Sequence, residues 1–145
     1  MEERSQVLQD LNSFLLSKNA EGFSHYKCNF TLFKCDDEVF DVLGQLFVCD
    51  WHQRHEDLAT LFQVCKTPIV AKYLYQAALS KYAYLDWNSN LPLQRKCIWA
   101  LADIGTQEAR SYLEKLSNLG NSMIASFATR RLDNWEKEQG RKGKI

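Results

Sequence analysis

The sequence predicts an all-α protein, a short α-solenoid of stacked antiparallel helix pairs, and three observations carry the prediction. Apolar residues recur at i, i+3, i+4 and i+7 through most of the 145 residues. Helix-capping side chains follow closely on helix-ending glycines, most compactly in "ALADIGTQEA" at 100–109. Only two prolines and six glycines punctuate the chain, too few for an all-β fold with many tight turns.

Taken in order, Val7, Leu8, Leu11, Phe14 and Leu15 mark a first helix, with Gly22 as its expected terminator. Residues 23–34 read as helix or strand. Phe23, Tyr26, Phe30 and Phe33 suit a helix, whereas the Asn-Phe-Thr composition weakens it. Val39, Val42, Leu43, Leu46 and Phe47 mark a helix capped by Asp36 or Asp37, and Leu58, Leu61, Phe62 and Cys65 mark the next. "TPIVAKYLYQAALSKYAYL" has Thr67 as cap and Pro68 at the first helical position, and is apolar nearly all round, so it is expected to be central and buried.

Leu93, Cys97, Ala100, Leu101 and Ile104 form a stripe that stops at Gly105. Thr106 caps the following helix, Glu108 suits its first turn, and Ala109, Tyr112, Leu113, Leu116 and Leu119 run to Gly120. Asn121 or Ser122 opens a last helix through Met123, Ile124, Phe127, Ala128, Leu132 and Trp135. The count is seven to eight helices in pairs. The Gly105–Thr106 joint leaves almost no loop, so the helices on either side must lie antiparallel. One domain is expected over 1–138, with 139–145 a flexible basic tail.

The pairs suggest a degenerate repeat. Leu101 matches Leu132 at an offset of 31, and Ala71 matches Ala109 at 38, with "YLDWNSNLPLQ" as the inserted loop. "ALADIGTQEARSYLEKLSN" resembles the HEAT-like repeat of the type found in phycobilisome lyases: Ala-Leu, a small spacer, Ile-Gly, then an Ala of the next helix and two leucines. The match is good from Leu91 to Trp135 and loose upstream. It implies a right-handed stack of αα-hairpins. It carries over no activity, because repeats of this kind serve scaffolds, lyases, DNA-alkylation repair enzymes and bacterial immunity proteins alike.

No run of about 18 apolar residues suggests a membrane span. "MEERSQVLQD" lacks the basic start and apolar stretch of a signal peptide, so a cytoplasmic protein without membrane contact is expected. Five cysteines (Cys28, Cys35, Cys49, Cys65, Cys97) without framework spacing read as reduced structural thiols.

Three constellations bear on chemistry. "CDWHQRHE" offers Cys49, His52, His55 and Glu56, ligand types suited to zinc, but no second cluster accompanies them. The plain reading is a helix end, a polar turn and a helix start with Trp51 packed at the corner; no metal and no cofactor are expected. Cys49 with His52 lacks an oxyanion turn, and no phosphate-loop, dinucleotide or zinc-protease motif occurs, so no catalytic residue is assigned. Arg95–Lys96, Arg130–Arg131 and the tail "RKGKI" are basic clusters that stacked repeats would align, with Trp99 as an aromatic wall. The net charge of zero argues against nucleic acid. A concave cleft holding Arg130, Arg131, Trp99 and a buried carboxylate such as Asp103 would favour a nucleic-acid-binding or lyase-type enzyme.

The third constellation is acidic. Residues 1–72 hold seven Lys/Arg against eleven Asp/Glu, and the remainder reverses the ratio. Asp36, Asp37, Glu38, Asp41, Asp50, Glu56 and Asp57 are offset only by Arg54 in that stretch. With Trp51 and Trp87 they are the expected partner-binding surface, since tryptophan is enriched at interface hot spots and acidic surfaces steer basic partners. The function this predicts is a non-catalytic protein–protein interaction module, most specifically an immunity protein that neutralises a basic bacterial toxin.

Overall fold

The computed structural model describes residues 3–120 and 122–141, and over these the chain is helical without a strand. The α-helices are α1 (Arg4–Ser17), α2 (Ala20–His25), α3 (Asp37–Phe47), α4 (His55–Cys65), α5 (Ala71–Ala78), α6 (Leu91–Ile104), α7 (Gln107–Ser117), α8 (Met123–Asp133) and α9 (Trp135–Arg141). Short 3₁₀ segments cover Phe30–Phe33, Pro68–Val70 and Ala83–Asn88.

Local chemistry sets most of the helix starts. Asp36 accepts from Val39 N, Thr106 from Ala109 N and Ser122 from Ala125 N, each satisfying an amide that the first turn leaves unpaired. Gly105 adopts φ 69° and its N–H returns to Leu101 O, closing α6 one residue before the cap of α7. Helix α7 ends at Ser117, earlier than the apolar stripe suggests, and Gly120 turns the chain at φ 77°. The alternative cap Asn121 lies outside the described residues.

Three boundaries depart from the sequence expectation. Lys18, at φ 54°, ends α1, while Gly22 lies inside α2 with its N–H capped by Asn19. The 67–85 stretch forms a 3₁₀ turn, a short α5 and a second 3₁₀ segment; the Thr67 hydroxyl donates to Lys34 O at 2.7 Å and caps nothing. At the other end α9 extends through 139–141, and Gln139 is buried with its amide donating to Ala102 O at 2.8 Å. Only 142–145 of the expected tail lie outside the described residues.

The packing follows chain order. Helix α1 packs on α3, α3 on α5, and α5 on α7; α4 packs on α6, and α6 on α8. Contacts α5–α6, α6–α7 and α7–α8 tie these two series together. The hub is α6, which buries Leu93, Cys97, Ile98, Ala100, Leu101 and Ile104 against helices on several sides. Upstream the core is aromatic: Phe23, Phe40, Phe47 and Phe62 are fully buried, with the Phe47 and Phe62 rings edge to face at 5.2 Å. No helix among the described residues is long and apolar enough to cross a membrane.

Candidate functional site

The acidic stretch folds into two separate groups. Asp37 and Phe47 stand at opposite ends of α3, about 15 Å apart at 1.5 Å rise per residue, so the acids at the start of α3 stand well apart from those beyond its end. In the first group Arg4 binds both Asp36 and Glu38. Its guanidinium, with the Val39 amide, holds the Asp36 carboxyl below its ordinary range. Asp41 accepts from the Tyr73 hydroxyl at 2.6 Å and from Gln45 at 2.9 Å, with Lys72 3.7 Å away. The tyrosine bond leads in lowering its pKa. Of this group only Asp37 is exposed without an ion-pair partner among the described residues.

In the second group Asp50 and Asp57 are exposed and Glu56 is half-buried. Arg54, the one cation in that stretch, makes no ion pair with them among the described residues: its Nη1 donates to Phe23 O at 2.9 Å and Tyr26 O at 3.3 Å, and its guanidinium lies over the Phe23 ring. Trp51 is half-buried against Phe23 and His52, so it anchors the corner rather than facing outward. Trp87, in the Ala83–Asn88 segment, is 83% exposed.

The Cys49–His52–His55 constellation is structural. His52 accepts the Arg54 N–H at Nδ1, so Nε2 is the protonated nitrogen and donates to Leu46 O at 2.6 Å. His55 Nε2 faces Cys49 O at 2.6 Å and therefore donates, leaving Nδ1 to accept from the Tyr84 hydroxyl at 2.7 Å. The rings stack at 4.3 Å, and Tyr82 stacks on His55 at 3.8 Å. Burial pushes His52 below its ordinary pKa and His55 down to about 4, so both are neutral at pH 7. With four ring nitrogens engaged, these histidines present no lone pair to a metal. Among the described residues no group of three or more His, Cys, Asp or Glu is placed to hold one. Burial also raises the Cys49, Cys65 and Cys97 thiols, which keeps them protonated and poorly nucleophilic.

Two of the three basic clusters contribute to one cleft. Arg95, Trp99, Phe127, Arg130 and Arg131 line a cleft of about 290 Å³ where α6 meets α8. Arg131 is buried, holds its guanidinium carbon over Trp99 at 3.8 Å from the ring centroid, and pairs with the buried Glu138 at 2.8 Å. Asp103 is not the carboxylate of this cleft; it accepts from Gln63 of α4 at 2.9 Å. Sequence reasoning missed Glu138, because the residues after Trp135 carry no apolar stripe to announce α9. Arg95 and Phe127 were available from helical spacing, and only the α6–α8 contact unites them.

The fold and these sites define an all-helical protein of packed helix pairs. No family model, curated protein or solved structure is significantly similar to this chain.

Proposed function

We propose that the chain is a short HEAT-like solenoid acting as a non-catalytic protein-binding module, most specifically an immunity protein that neutralises a basic bacterial toxin. The observation that carries this reading is the packing of helices two apart, α1–α3–α5–α7 in one series and α4–α6–α8 in the other. Such layering is how stacked αα-hairpins bury their stripes while leaving continuous outer surfaces for a partner. The two stacked histidines and the buried Cys97 are engaged in the packing of the fold. Asp37, Asp50 and Asp57, and the Trp87 indole, remain exposed for a cationic partner.

The test is capture of a partner by tagged protein from nuclease-treated lysate of its own cells, followed by expression of the captured protein alone and together with this chain. The expected result is a stoichiometric basic protein, released by salt, whose expression arrests growth and whose arrest is lifted by co-expression. Substituting Asp37→Lys, Asp50→Lys and Asp57→Lys together is expected to abolish capture and rescue while leaving helicity intact. Rescue by the triple variant at the parent level would remove both acidic groups from the proposal.

A further inference from the structure

The cleft between α6 and α8 lies outside that surface, and its chemistry is of the opposite sign. Its three arginines are not equivalent. Arg131 is committed to Glu138 and to the face of Trp99. Arg95 lies over the Phe127 ring at 4.8 Å, and neither Arg95 nor Arg130 is ion-paired among the described residues. A guanidinium stacked on an arene has its plane fixed while its edge keeps its N–H donors for an oxyanion. The cleft thus sets two uncommitted guanidinium groups beside an indole that is 39% exposed and a phenyl ring.

A bare carboxylate would use the guanidinium edges and leave the aromatic walls idle. A ligand that carries a phosphate and a flat π-system uses both, because bases stack on aromatic rings and on arginine planes alike. We propose that this cleft binds a nucleoside phosphate, with the phosphate between Arg95 and Arg130 and the base against the Trp99–Arg131 stack. Arg130 also lines a second groove of about 430 Å³, which runs along α8 from Ser122 to Asp133 beside the end of α7. Arg130 therefore stands between two openings, a layout that accommodates one nucleotide or a unit within a single strand.

The experiment is fluorescence anisotropy of a fluorescein-labelled single-stranded oligothymidylate with the full chain at low salt. Saturable binding is expected, weakening with salt by a log–log slope of about 0.7 per neutralised phosphate. Arg95→Glu with Arg130→Glu is expected to weaken it at least tenfold, and Trp99→Leu several-fold. Circular dichroism checks that the variants fold, the two arginines being exposed. Displacement of the oligonucleotide by adenosine monophosphate would identify the free nucleotide as ligand; its failure to compete, with binding intact, would identify the strand. Absence of binding, binding unaltered in the double-arginine variant, or equal displacement by polyglutamate would each overturn the proposal. The toxin-rescue assay leaves Arg95 and Arg130 untouched, so the two readings fail separately.

Discussion

Tyr73 lies across Gly44 so closely that a Cβ on the glycine would stand 2.0 Å from the ring's Cδ2. The ring is also held at its far end by the hydroxyl bond to Asp41, so it cannot swing aside freely. Gly44→Ala is therefore expected to destabilise the protein by about 1–3 kcal/mol through overpacking, although alanine favours a helix over glycine by about 1 kcal/mol. In a Tyr73→Ala background the sign should reverse. Urea unfolding of the parent, the two single variants and the double variant measures this coupling. A Gly44→Ala protein as stable as the parent would refute the close approach of α3 and α5.

The stacked histidines predict an acid limb to the stability curve. Both fold with lowered pKa values, so the unfolded chain takes up protons first. Their contribution is complete above about pH 6.5, the ordinary histidine value. It falls as the pH is lowered through the window ending near 4 for His55. The loss for His55 is about 2–3 kcal/mol by linkage. Asp36 and Asp41 add a further loss in the same direction at lower pH, as their lowered carboxyl pKa values are approached. Thermal unfolding from pH 7 to 4 tests this, and a melting temperature flat across that range would contradict the burial of the pair.

Glu138→Ala removes the counter-charge of a buried guanidinium and is expected to cost about 3–5 kcal/mol, whereas Glu138→Gln keeps an acceptor and should cost less. Replacing both partners with Arg131→Met and Glu138→Leu should recover most of the loss, because the penalty lies in the orphaned charge. Denaturant midpoints of the four proteins rank these outcomes. Equal stability of all four would contradict the burial of the Arg131–Glu138 pair.

Acidic residues that are neighbours in sequence should respond differently. Asp41→Lys forfeits the Tyr73 and Gln45 hydrogen bonds and the Lys72 pairing, for an expected loss of about 2 kcal/mol. Asp37→Lys gives up only a favourable charge in the first turn of α3, less than about 1 kcal/mol. Unfolding curves of the two variants distinguish a structural acid from a surface acid.

These contrasts mark how far the sequence could be read. The Gly105–Thr106 joint was legible, and the caps Asp36 and Ser122 were each legible as one of two adjacent candidates, because a cap is decided by residues three apart. The apolar stripes of α3, α4, α6 and α7 were legible for the same local reason. Fates set by distant partners were not. Arg4, 32 residues from Asp36, neutralises part of the acidic run, and Thr67 turns to a carbonyl 33 residues away. Cys49–His52–His55 has ligand spacing, yet carbonyls six residues upstream of each histidine take the ring N–H groups. The cleft was half legible. Positions 95 and 99 share one helix face and 127, 130 and 131 share another, but their meeting depends on how α6 crosses α8.

The order of helix contacts also bears on how the chain reaches this state. The principal packing partners are no more than two α-helices apart along the sequence. Loop-closure entropy is then small at every step, and low contact order makes folding fast. With the packing concentrated on α6, order is expected to start there and spread both ways, and opening to begin at the ends. Amide exchange should accordingly be slowest in α6 and quicken towards α1 and α9, so the Arg131–Glu138 pair that ties α9 to α8 sits at the end of the chain where opening begins.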